Sequence, residues 1–461
     1  MFGDIFSRLF RGFLGGGRSE AADKAGFDAL NRQAPVREAA RPPGAGATAP
    51  GLPESFVCRE AVLGVDQRVA GYQFMLHEGT RNRIRSRSRH IQHVYAEVLV
   101  RNIAQIGIGP LLGHRKAFLD VPDSFLAHAA IAELPAGQVV LGVTPLDDAG
   151  APPAAELVAT ARRLREAGHR IASPCDALLG PLGFLLPECD YAILAADAAD
   201  PARLKDAIER LRQSGSAAKL IARALPSQDD FQLCRTLGAV LFQGPFITSR
   251  EDWHGNRLGP NTARMADLLT RLRRDADTGE LVELLKQDGA LSLRLMRYIN
   301  SAAVGLHGEV SSIERALMQL GRDRLYRWLM LLTYSADKGS ARSTAVLENA
   351  LVRARLMELL GDGRPAAERD ALFLVGLLSL VDVVLQVPMQ DALASLAVAP
   401  EIEAAVLRGE GPMADLLALA IACEQGGGER LETLARTCGI EPALATRRHL
   451  EAFTWALEVN A

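Results

Sequence analysis

The sequence predicts an α/β half followed by an all-α half. Between Ser55 and about Ile247, short apolar runs alternate with helical stretches, the pattern of parallel strands joined by right-handed crossovers. From Asn261 to Asn460 nearly everything follows a helical period with few β-branched runs. The length of 461 residues suggests about three structural units. With 48% hydrophobic and 23% charged residues, the chain is neither collagenous, wholly disordered nor disulfide-stapled.

Residues 1–53 are expected to stand apart from both halves. Phe2, Ile5, Phe6, Leu9, Phe10, Phe13 and Leu14 recur at helical spacing, so residues 1–14 form a short amphipathic segment. Arg8 and Arg11 interrupt what would be the apolar stretch of a signal peptide, and no small-residue cleavage site follows. Residues 15–53 are rich in Gly, Ala, Pro and Arg and read as a flexible tether. The segment before the tether either docks in a partner groove, touches a membrane surface, or is a frayed start without a role.

Within the α/β half, candidate strands are Phe56–Ala61, Val69–Leu76, Ala117–Val121, Val139–Val143, Tyr191–Ala195, Lys219–Ala224 and Val240–Phe242. Helical patterns cover Val94–Ile106, Ala155–Ala167, Pro201–Gln213 and Gln228–Leu237. The tight turn Gly64–Gln67 makes the first two strands antiparallel. A closed barrel and an open doubly wound sheet fit equally well. The boundaries fall at 54–253 for this unit, 254–260 for a linker and 261–461 for the helical unit. In the helical unit Ser311–Glu314 reads as a capping box, with Gly321 as the stop. The apolar run from Ala371 to Val387, 17 residues long and containing Asp382, is too short for a membrane span and reads as a buried helix.

The chemistry visible in the residues is sparse. A net charge of -3 gives no overall field to attract nucleic acid, and no nucleic-acid partner is expected. Six scattered cysteines without a CxxC pair suit a reducing compartment, and the chain is expected to be cytoplasmic. No Walker, GxSxG or GxGxxG signature occurs. His90 and His93 share a helix face, but their neighbours are arginines, so no metal is expected there. One charged feature stands out: Arg81, Arg83, Arg85, Arg87 and Arg89, in the loop after the second strand. Such a loop lies at the functional end of an α/β barrel. It either binds a phosphate-bearing ligand or an acidic partner, or is a solvated loop.

From 55 to 440 the residues resemble proteins that join an EAL domain to an HDOD domain. REAVLGVDQRVAGYQFML is similar to the start of an EAL domain, AFLDV and AGHRIA to two of its strands, and LGAVLFQGPFIT to its closing strand. LMRYINSAAVGLHGEVSSIERALMQLGRDRLYRWLML resembles the HDOD core. The resemblance implies a TIM-like EAL barrel with one antiparallel strand, followed by an all-α HDOD domain.

EAL domains hydrolyse cyclic di-GMP with two metal ions held by carboxylates, and this chain departs from that pattern. The motif Glu falls at Gln73, and the phosphate-contacting Arg that follows it falls at His77. The metal-binding Asn falls at Asp120. Two further carboxylates fall at Gly142 and Pro145, and two aspartates at Pro174 and Cys175, with Asp176 one residue out of register. The strand lysine falls at Ile193 and the late Glu at Pro226, while Gln243 of the closing motif is kept. The resemblance with these losses implies no bound cofactor or metal and a non-enzymatic signalling adaptor. Its partners would be other signalling proteins and a second copy of itself. The alternative is a receptor that binds cyclic di-GMP without hydrolysis through the arginine loop.

Overall fold

The computed structural model describes residues 57–76, 88–146, 148, 150–196, 201–251, 253, 255–300, 310, 312–333, 342–425 and 428–460. Residues 1–53, His77 and four of the loop arginines (Arg81, Arg83, Arg85 and Arg87) lie outside these.

The first half closes as an eight-stranded barrel, which settles the choice left open by the sequence. The strands are β1 (Val57–Gly64), β2 (Val69–Leu76), β3 (Lys116–Pro122), β4 (Val139–Thr144), β5 (Arg170–Pro174), β6 (Tyr191–Ala195), β7 (Lys219–Arg223) and β8 (Ala239–Gln243). Strand β1 pairs antiparallel with β2 and with β8, and every other pairing is parallel. Its hairpin closes where the Gln67 N–H donates to the Gly64 carbonyl at 2.9 Å, with Gln67 at φ +60°. Crossover helices α1 (Arg89–Ile106), α2 (Ala154–Glu166), α3 (Pro201–Gln213) and α4 (Gln228–Thr236) lie between strands.

Strand β5 is absent from the strands expected from apolar runs. It is short, begins on an exposed Arg170 and ends on a proline, so only Ile171 and Ala172 carry an apolar signal. Its buried Ser173 donates its hydroxyl proton to the Val143 carbonyl at 2.8 Å.

The second half is helical throughout its described residues: α5 (Pro260–Arg273), α6 (Thr278–Gln287), α7 (Gly289–Ile299), α8 (Ile313–Leu320), α9 (Arg322–Thr333), α10 (Arg342–Leu360), α11 (Ala366–Leu378), α12 (Val381–Leu385), α13 (Met389–Ser395), α14 (Pro400–Glu403), α15 (Pro412–Gln425), α16 (Gly428–Thr437) and α17 (Pro442–Asn460). Two expectations shift. Helix α8 is capped by Ser312, whose hydroxyl accepts from the Arg315 N–H at 3.3 Å, so Glu314 stands one position early for a capping box. The apolar run 371–387 is two helices, α11 and α12, and its Asp382 is buried and accepts from Arg250 Nε at 2.5 Å.

Helix α10 is the axis of this half. It is buried along most of its length, its charged Arg342, Glu348 and Arg353 included, so those charges must find partners inside the protein. Helix α11 crosses it at Gly376, where an added Cβ would meet the Ala354 Cα and N at 2.6 Å. Replacing Gly376 by valine is expected to cost about 3 kcal/mol or more, since overpacking a rigid crossing forces the two backbones apart. Urea denaturation checks this, and a variant within 1 kcal/mol of the parent, roughly the scatter of ordinary surface substitutions, would show that the crossing yields.

The two halves share one apolar cluster. A hairpin needs no crossover helix, so no helix lies between β1 and β2, and α1 packs on β2 only from its β3 side. Helices α10, α15 and α17 cover the outer face of the hairpin instead: Phe453 of α17 packs edge-on against Tyr72 at 5.2 Å and Phe74 at 6.1 Å between ring centroids.

Candidate functional site

Side chains alternate across each strand, and the inward set is marked by a second, separate core. Val62, Phe118, Val140, Ala172, Ile193 and Ile221 fill the barrel interior. Positions two residues further toward the carboxyl ends of β3, β4, β5 and β7 therefore line the mouth: Asp120, Gly142, Pro174 and Arg223. Gln73 stands between the outward Tyr72 and Phe74 on β2, and Glu60 shares the inward face of the reversed β1. The positions that the sequence singles out on β2, β3, β4, β5 and β8 thus belong to one ring, while Ile193 of β6 lies in the interior core beneath it.

Two of its principal members were not singled out by sequence: Arg223 and Glu60. The Arg223 guanidinium reaches across the barrel from β7 to β3, donating from Nη1 to both Asp120 carboxylate oxygens at 2.9 and 2.8 Å. Its Nε is buried without a partner among the described residues. On the other side Gln243 Nε2 donates to Glu60 Oε2 at 2.6 Å. The side-chain oxygens of Gln243 and of Gln73, residues 5% and 2% exposed, have no partner among the described residues. Gly142 leaves room for this pair, because a Cβ there would fall 2.3 Å from Asp120 Oδ1.

The remaining expected positions sit less centrally. Pro145 follows β4, Pro226 is exposed after β7, and Cys175 turns away from the mouth into a short helix, where burial pushes its thiol up to about 11. Asp176 is exposed in the same helix.

Arg89, the loop arginine among the described residues, is engaged in structure. It donates to Asp123 Oδ1 and Ser124 Oγ at 2.5 Å, to Asp148 Oδ1 at 2.7 Å and to the Leu146 carbonyl at 3.1 Å. This ties α1 to the loops after β3 and β4. His93 Nε2 lies 2.5 Å from Ser124 Oγ, and burial together with Arg89 holds its imidazole below the usual value.

Two metal ions would need anionic ligands converging on one point. The mouth offers Asp120, already neutralised by Arg223, and Glu60, already bonded by Gln243. No group of three His, Cys, Asp or Glu side chains gathers anywhere among the described residues. The residues present do not fit a metal pair. Nor is any helix among them long and apolar enough to cross a membrane.

Comparison with known proteins places the helical half. Residues 260–406 match the HDOD domain family, so this half carries an HDOD domain. Over 413 residues the chain is 23% identical to the cyclic di-GMP phosphodiesterase CdgJ of Vibrio cholerae, covering 88% of this chain and 93% of that protein. It is 22% identical over 408 residues to the uncharacterized protein YuxH of Bacillus subtilis, covering 87% and 97%. Among solved structures, it is similar to the EAL-domain protein YkuI of Bacillus subtilis in complex with cyclic di-GMP and calcium. The TM-score is 0.35 and the identity 14%, over 53% of this chain and 73% of that one. A standalone EAL protein of Vibrio cholerae bound to cyclic di-GMP gives a TM-score of 0.34 and 11% identity, over 41% and 89%. The expectation of a non-enzymatic chain is corrected here, because a relative matched along nearly its whole length is named a phosphodiesterase.

Proposed function

We propose that this chain, an EAL-like barrel (54–253) joined to an HDOD domain (261–461), serves cyclic di-GMP signalling. In this reading the barrel mouth takes the dinucleotide, and the helical half presents the outcome to a partner signalling protein. The observation that carries it is the ring at the mouth: a guanidinium with one N–H unpaired among the described residues, and two buried amides whose oxygens have no partner there either. It stands at the carboxyl ends of the strands, where α/β barrels hold their ligands. A guanidinium fork matches a phosphodiester, and amide oxygens accept from the N–H groups of guanine. The name of the Vibrio cholerae relative supports the same ligand.

That name also favours a second reading, turnover. The carboxylates at the mouth are Asp120 and Glu60, and Asp120 becomes a free base only when Arg223 releases it. A phosphate arriving at Arg223 would make that exchange.

Calorimetric titration with cyclic di-GMP tests the first reading. Saturable binding is expected, and Arg223→Ala should weaken it by on the order of tenfold to a hundredfold, the loss of about 1.5–3 kcal/mol from charge-assisted bonds. Absence of saturable heat from the parent protein would sink the proposal. Chromatography of the same samples tests the second: linear dinucleotide that disappears in Asp120→Asn supports turnover, and intact binding without product, with Mg²⁺ or Mn²⁺ added, ends it.

A further inference from the structure

At the opposite end of the barrel, where the strands begin, a cavity of about 680 Å³ opens. We propose that this cavity binds a small molecule carrying a diphosphate or polyphosphate group. Nothing in the reading of the mouth requires it, and the two sites are separated by the full length of the strands.

The argument is one of charge. Lys116, Arg170 and Lys219 are the first residues of β3, β5 and β7, and Arg165 reaches in from the end of α2. The sole carboxylate in the lining is Asp190, and it is already saturated. It accepts from Arg165 Nε at 3.2 Å, from Arg170 Nη1 at 3.3 Å and from the Ile171 N–H at 3.0 Å. Arg165 also pairs with Glu188 behind the wall at 3.0 Å, and Glu188 is shared with Arg162 at 2.7 Å. Five cations thus face two carboxylates. Three arginines share the two carboxylates, and neither lysine has a carboxylate partner among the described residues: Lys116 Nζ donates to the Gly137 carbonyl at 2.6 Å, and Lys219 forms no ion pair there.

Like charges gathered round one opening repel each other. A concave wall also concentrates their field toward the solvent. An anion seated there removes the repulsion and gains several charge-assisted bonds. One small anion would reach too few of these groups, since they come from different strands around the rim, whereas linked phosphates bridge them. Tyr191, first residue of β6, adds a phenol to the wall, and the volume is that of ordinary ligand pockets.

Isothermal titration of the full-length protein with inorganic pyrophosphate at low ionic strength is the test. Saturable one-site binding is expected. Lys219→Glu should weaken it by on the order of tenfold or more, and Lys116→Gln should weaken it in the same direction. Arg223→Ala, at the other end of the barrel, should leave it unchanged. Lys219 is exposed at a strand start, so its replacement spares the core. The proposal is overturned if pyrophosphate gives no saturable heat up to millimolar concentration. It is also overturned if both lysine variants bind as the parent does, or if Arg223→Ala alone abolishes binding.

Discussion

Replacing Glu348 by alanine is expected to cost about 3–5 kcal/mol, the usual penalty for stripping one partner from a buried ionic group. Glu348 sits at 1% exposure on α10, yet every one of its partners belongs to the barrel. Tyr72 of β2 donates its hydroxyl proton to Oε1 at 2.6 Å, Arg115 approaches Oε2 at 3.3 Å, and Arg59 of β1 stands 3.6 Å from Oε1. Burial, and then the Glu348 carboxylate itself, push the Tyr72 phenol well above its usual value, so it remains a donor. Arg115 Nη1 also donates to the Tyr72 oxygen at 2.5 Å.

Without the carboxylate, the buried Arg59 and the half-buried Arg115 lose their anionic partner, and Arg59 is held over the Phe453 ring at 4.2 Å. Urea denaturation should show the loss. Limited proteolysis should show new cleavage between the halves, since Glu348 joins the helical half to the hairpin. The isosteric Glu348→Gln keeps the Tyr72 hydrogen bond but not the charge, and should fall between parent and alanine. Equal stability of all three would mean that the apolar contacts of α10 and α17 alone hold the halves together.

This junction bears on function, because the strands that carry it also carry the mouth. Along β1, Arg59 faces the helical half while Glu60 faces the barrel interior; along β2, Tyr72 and Gln73 divide in the same way. A ligand that displaces Glu60 or Gln73 acts on a strand whose next residue is clamped to Glu348.

How far the residues announced this arrangement depends on the range of the signal. The β1–β2 turn follows from a local cluster of Gly, Asp and Gln. The mouth positions Gln73, Asp120, Gly142, Pro174 and Gln243 stand out through a family resemblance, and the alternation of the strands then places them in one ring. Arg223 and Glu60 were within reach of the same alternation, Arg223 lying two residues beyond the inward Ile221. Taken singly, a charged residue at a strand end reads as solvated, and only the closure of the barrel brings Arg223 to Asp120. The Tyr72–Glu348 bond spans 276 positions; no period or motif announces such a contact. Among the loop arginines, Arg89 is called away by Asp123 and Asp148, carboxylates from two separate loops.

Acid should loosen the same junction through His449, and the direction follows from its surroundings. His449 lies on α17 at 1% exposure, and neither ring nitrogen has a hydrogen-bond partner among the described residues. Burial, with the Arg59 guanidinium adding to it, lowers its pKa from 6.5 to about 3. In the unfolded chain the imidazole takes up a proton below about pH 6.5; in the folded chain it stays neutral until about pH 3. The unfolded state therefore binds more protons across this window. The contribution of His449 to stability is fully present above pH 6.5 and is lost as the pH falls toward 3, at up to about 1.4 kcal/mol per pH unit. Carboxylates elsewhere add their own acid sensitivity, so the informative quantity is a difference. His449→Phe keeps the ring and removes the proton site. Measured by urea denaturation at pH 7 and pH 5, parent and variant should lie close together at neutral pH, and the parent should lose about 2 kcal/mol more on acidification. Parallel losses would mean that water or a neighbouring group reaches the imidazole and accommodates its charge. A steeper loss in the parent shows that the junction holds His449 neutral and gives up that contribution as the pH falls.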